Sequence, residues 1–110
     1  MPHIKAYKQN EIIVKEGDTD QKIFVLISGT VAVYKNNKKI SEYSNEGTIL
    51  GEISPILNIP RTTTLKASSD TELYVYDYPI DELITLHPDF AIKLLKTIAA
   101  RLVEATEKII

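Results

Sequence analysis

Glu52 and Arg61, nine residues apart in "LGEISPILNIPRTTTL" (50–65), are the pair in this chain whose types and spacing suggest chemistry. Read as a strand from Pro60, Arg61, Thr63, Leu65 and Ala67 share one face, because side chains alternate along a strand. Leu65 and Ala67 mark that face as the one to bury, so the arginine needs a counter-charge there. Its planar fork matches two oxygens of a phosphate or a carboxylate. Gly51 lets a ligand approach the backbone, and Glu52 offers a carboxylate that accepts bonds from hydroxyls. Ser54 to Leu57 reads as a single helical turn with Ser54 as its cap and Pro55 in the first helical position. Free N–H groups at such a turn suit an anion. A phosphate carrying an adjacent hydroxyl would satisfy all these groups, and a direct Glu52–Arg61 bridge is the alternative.

These residues must be positioned by a small fold. The chain has 110 residues, 44% of them apolar and 25% charged, which predicts one folded domain over 1–110. Its net charge of −2 argues against a nucleic-acid or membrane-surface binder, so any anion must be held locally. It has no cysteine, which excludes disulfides and thiolate metal sites. No run of about 18 apolar residues is present, and the expected location is the cytoplasm, without membrane insertion.

Up to about residue 78 the pattern predicts short strands: "EIIVK", "KIFVLI", "TVAVYK", "KISEY", "GTIL", "RTTTLKA" and "ELYVYD". Ser28-Gly29 reads as a two-residue hairpin, and Asn36-Asn37 as a second turn. From about 79 to 110 the period becomes helical, with a short helix in "PIDELITLH" and a longer one after Pro88. Ala91, Leu94, Leu95, Ile98, Leu102, Ala105 and Ile109 form a stripe expected to pack on the barrel. The fold class expected is therefore mainly β with C-terminal α. Tyr74, Tyr76 and Tyr78 alternate on one outer strand face, which suits sheet packing or a partner patch. His3 and His87 stand in unrelated contexts, so neither a metal site nor catalysis is expected.

The run Gly51-Glu52-Ile53-Ser54 followed by Pro60-Arg61-Thr62-Thr63 resembles the phosphate-binding cassette of cyclic nucleotide-binding domains. The segments "IIVKEGDTDQKIFVLISGTVAVY", "TLKASSDTELYVY" and "IDELITLHPDFAIKLLKTIAARL" are similar to that family's opening strands, closing strands and helical lid. The resemblance implies a jelly-roll-like double-stranded β-helix barrel followed by a helical lid. It implies reversible binding of cyclic AMP or cyclic GMP as a signalling sensor, with cyclic AMP favoured and no cofactor or chemistry. Glu52 would bind the ribose 2′-hydroxyl and Arg61 the cyclic phosphate. The N–H groups of Ser54 and Thr62 would complete the cradle, and Gly51 and Ile53 would line the sugar. Ser54, Pro55 and Thr63 depart from the family's usual alanine, leucine and alanine, and the Ser54 hydroxyl could add a contact. Arg101, Leu102, Ala105 and Thr106 are positional candidates for covering the base. With no helix-turn-helix after the long helix, the expected effector is on another chain, or the helix and its Ile109-Ile110 end mediate a homodimer. A protein-interaction module that has lost nucleotide binding is the alternative on the same fold.

Overall fold

The computed structural model describes residues 2–108, so the Ile109-Ile110 end lies outside the described residues. The strands are β1 (His3–Tyr7), β2 (Ile12–Val14), β3 (Lys22–Ser28), β4 (Val31–Lys35), β5 (Lys38–Tyr43), β6 (Ile49–Leu50), β7 (Thr64–Ala67) and β8 (Thr71–Asp77). The helices are α1 (Ile53–Leu57), α2 (Ile80–Leu86) and α3 (Pro88–Glu107). By internal contact the chain forms two compact units that divide after Pro79.

In the first unit, strands pair from the two chain ends inward: β1 with β8, β2 with β7, β3 with β6 and β4 with β5, all antiparallel. Alternate pairs fall in alternate sheets, giving the orders β1-β8-β3-β6 and β2-β7-β4-β5. The chain is thus one long hairpin wound over two sheets, a jelly-roll-like sandwich and not a closed barrel. Period-two patterning makes this possible. Phe24 opposes Val75, and Leu26 opposes Leu73, in one sheet. Val33 opposes Leu65, and Val31 opposes Ala67, in the other, and all eight join one buried apolar cluster.

The expected hairpin at Ser28-Gly29 is not one. β3 and β4 lie in different sheets, so the dipeptide carries the chain across the sandwich. Gly29 sits at φ 93°, and a Cβ there would come within 2.4 Å of the Asp70 carbonyl oxygen and of Thr71 Oγ1. Thr71 fastens the crossing by accepting the Thr30 N–H at 3.1 Å and donating to Ser69 O at 2.9 Å. Glycine is therefore required for close approach as well as for its backbone angle. Gly29→Ala is expected to lower stability by about 2 kcal/mol or more, seen as a lower urea midpoint at unchanged slope.

The Asn36-Asn37 turn forms as expected, with φ 51° and 65°, and joins β4 to β5. β5 ends its sheet and carries Lys38, Lys39 and the exposed Ile40. β1 was not foreseen as a strand because four of its five residues are exposed. Its order comes from its ladder with β8, which the apolar pattern does not report. Tyr74 and Tyr76 are half-buried on the outward face, with ring centroids 5.4 Å apart.

In the second unit Asp81 and Glu82 occupy the first turn of α2, and Pro88 begins α3. α2 and α3 contact one another, with Leu83 and Leu94 buried. The expected packing stripe is only partly covered: Leu95 is 69% and Leu102 67% exposed. A helical period identifies an apolar face but not what covers it.

Candidate functional site

The site is built where β6 ends. Gly51, at φ 75°, turns the chain from β6 toward α1, and Glu52 caps the helix with αR backbone angles. The helix therefore starts at Ile53, and Ser54 is its second residue rather than its cap. Pro55 consequently falls in the third position, where a missing N–H still leaves no helical bond unmade. The far end of α1 is closed by Asn58 at φ 55°, with the N–H groups of Asn58 and Ile59 both donating to Ser54 O. Glu52, Ser54 and Pro55 are buried, whereas Ile53 is exposed. Ser54 Oγ has no hydrogen-bond partner among the described residues.

Arg61 lies just before β7 and is 4% exposed, so the inward direction expected of it holds. Its counter-charge differs from expectation. The bidentate partner is Asp20: Nε donates to Oδ2 at 3.1 Å, and Nη2 donates to Oδ1. Nη2 also donates to Lys22 O at 2.6 Å, and Nη1 to Gly51 O at 2.6 Å. The guanidinium lies 5.9 Å from the centre of the Phe24 ring. Main-chain bonds anchor the same point, with Arg61 N–H donating to Asp18 O at 2.7 Å and Gly17 N–H to Arg61 O at 2.8 Å. A guanidinium has five N–H donors. Two serve Asp20, one Lys22 O and one Gly51 O, which leaves the second hydrogen of Nη1, beside Gly51, as the uncommitted one.

Gly51 makes that approach possible. A Cβ at this position would stand 3.0 Å from Arg61 Nη1 and 3.1 Å from the Phe24 ring. Sequence reading assigned "EGD" to a turn and passed over Asp20. The available signal was an acidic residue at the mouth of β3, but a partner 41 residues away leaves no local trace.

Burial works to raise the Asp20 carboxyl. Bonds from the Arg61 side chain and the Lys22 N–H, with the charges of both residues, outweigh it and hold the group below its ordinary value of 3.8. A depressed carboxylate contributes stability that is fully present above that ordinary value and lost as pH falls through the folded one. Asp20→Asn is therefore expected to lower stability at neutral pH and to flatten its decline in acid below about pH 4. Urea denaturation across pH 2.5–7 (roughly the window set by the carboxylate range) would check this, and parallel curves for the two proteins would contradict it.

Thr62 is exposed and Thr63 half-buried. The Thr62 carbonyl accepts from Lys35 Nζ at 2.9 Å, and Lys35 also pairs with Glu16 at 3.0 Å. The structure thus brings Gly51, Glu52, Ser54 and Arg61 together in the first unit. Arg101, Leu102, Ala105 and Thr106 belong to α3 in the second. A cavity of about 500 Å³ is lined by Ile13, Val14, Gly17, Asp18, Thr19, Asp20 and Lys22. It reaches Asp20 but none of the residues expected to hold ligand. Among the described residues no group of three His, Asp or Glu is placed to hold a metal, and no helix is long and apolar enough to cross a membrane.

Comparison with known proteins agrees with this arrangement. The model of the cyclic nucleotide-binding domain family matches residues 4–80. The cAMP-dependent protein kinase regulatory subunit of Candida albicans is 30% identical over 91 residues, covering 83% of this chain and 20% of that protein. The chain therefore spans about a fifth of the length of that relative. Catabolite Activator Protein from Thermus thermophilus superposes with a TM-score of 0.83 at 25% identity, covering 98% of this chain and 53% of that one. The cAMP-bound PfPKA-R structure gives a TM-score of 0.70 at 29% identity, over 96% of this chain and 37% of that one. With its nested strand pairing and its glycine–glutamate turn held against a buried arginine, the chain belongs to the cyclic nucleotide-binding domain family.

Proposed function

We propose that this domain binds a cyclic nucleotide reversibly, cyclic AMP in preference to cyclic GMP, as a regulatory module that performs no chemistry on it. The observation that carries this reading is the direction of Arg61. Asp20 and Lys22 O hold its Nε and Nη2, so its remaining donor, on Nη1, faces the Gly51 turn. A singly charged cyclic phosphate seated there would exchange the Gly51 carbonyl for a charged acceptor, a stronger bond. Glu52, buried one residue further on, would take the ribose 2′-hydroxyl as an acceptor, since a cyclic phosphate leaves no free 3′-hydroxyl. The N–H groups of Ser54 and Thr62 would complete the phosphate cradle, with Ile53 along the sugar and Thr63 beside the phosphate.

The preference for cyclic AMP is supported by the names of the kinase regulatory subunit and the cAMP-bound structure above. Regulation would work through α2 and α3, whose position the ligand can bias only as far as it binds one position more tightly than another. The apolar residues exposed on α3 suit an effector or a second copy of the chain as the recipient of that change.

Calorimetric titration of cyclic AMP and cyclic GMP into the protein tests the reading. Saturable binding of both, tighter for cyclic AMP, is expected. Absence of saturable binding for either nucleotide would overturn it, and tighter cyclic GMP would reverse the preference alone.

A further inference from the structure

One buried polar group takes no part in holding the site together. Glu52, Ser54, Arg61 and Thr71 are the buried polar side chains among the described residues. Arg61 and Thr71 are tied to the partners named above, but the Ser54 hydroxyl meets none. An alanine would fill nearly the same space without leaving a donor and an acceptor unmatched, so the hydroxyl is a liability to the fold unless something uses it. Its place in the chain says what that is. Ser54 follows Glu52 by two residues and Gly51 by three, and the Gly51 carbonyl is where Arg61 Nη1 rests. The next residue, Pro55, brings no N–H, and the N–H of Ile56 is spent on Glu52 O at 3.2 Å. The Ser54 hydroxyl is therefore the last side-chain donor this segment offers, and it is uncommitted.

We propose that Ser54 Oγ–H donates to an exocyclic oxygen of the ligand's cyclic phosphate, so that Ser54 reads the oxygen itself while Arg61 reads its charge. This rests on the cyclic-nucleotide reading above and adds a specificity residue to it. A guanidinium is satisfied by any singly negative group of suitable size, whereas a hydroxyl needs a good acceptor, and sulfur is a weak one. The site is thereby selective for one of the two phosphate oxygens against sulfur.

The test titrates cyclic AMP and its two phosphorothioate diastereomers, each with sulfur replacing one exocyclic oxygen, into the protein and into Ser54→Ala. Thermal unfolding of both ligand-free proteins is measured alongside. Ser54→Ala is expected to bind cyclic AMP at least about tenfold more weakly, the scale of a hydrogen bond to a charged acceptor. Its ligand-free melting temperature should be equal or higher. The intact protein should disfavour one diastereomer, and that penalty should shrink in the variant, a coupling that a space-filling role would not produce. Unchanged affinity, an equal loss for all three ligands, or a lower melting temperature would overturn the inference and leave nucleotide binding standing. Failure of the intact protein to bind cyclic AMP would instead remove the reading on which it rests.

Discussion

Arg61→Ala is expected to weaken cyclic nucleotide binding by at least about 2 kcal/mol, roughly thirtyfold, the scale for truncating one partner of a buried charge pair. The same change should cost stability. Asp20 would lose its bidentate partner, and the carbonyls of Gly51 and Lys22 would each lose a donor. Breaking a fully buried pair costs about 3–5 kcal/mol. The Asp20 side chain is 28% exposed, so water would recover part of that, and about 2–3 kcal/mol is expected. Arg61→Lys separates the two effects. It keeps the charge but cannot span Asp20, Lys22 O and Gly51 O at once, so it should recover little of either quantity. Calorimetry and urea denaturation on the three proteins would measure both. Undiminished affinity in Arg61→Ala would place the ligand elsewhere.

Phe24→Ala should produce the largest loss of stability, about 3–5 kcal/mol, the range for removing a buried aromatic ring. The side chain is 0% exposed and stands opposite Leu50 on one side and Val75 on the other. Few positions in so small a core have less room to collapse after truncation. Its ring also lies against Gly51 and beneath the Arg61 guanidinium, so a cavity there would remove the floor of the site. Affinity should fall with stability in this variant. Phe24→Leu should lose less of both. A loss below about 1 kcal/mol on truncation would mean that the ring is not packed as described.

Much of the first unit was legible because alternation is a local property. The strand cores around Phe24, Val33, Leu65 and Val75, and the turn at Asn36-Asn37, follow from residues that touch or nearly touch in sequence. What was misread depends on distant partners. Ser28-Gly29 announces a change of direction, but only Asp70 and Thr71 decide that the chain crosses to the other sheet. Likewise the inward arginine was visible, whereas its carboxylate was not, because Asp20 meets it only after the jelly roll has wound. The helical start shifted from Ser54 to Ile53 because Glu52 already has helical backbone angles. The stripe on α3 was read correctly as apolar and incorrectly as mostly covered.

The end strand β5 has a consequence for life in a crowded solution. Its outermost main-chain groups are open to pairing with any extended segment that drifts past, the first step toward fibrous deposits. Lys38 and Lys39 on that rim repel a copy of themselves, and Ile40 alone would do the opposite. Two ammonium groups thus help keep a sandwich with unclosed margins from joining end to end with its neighbours.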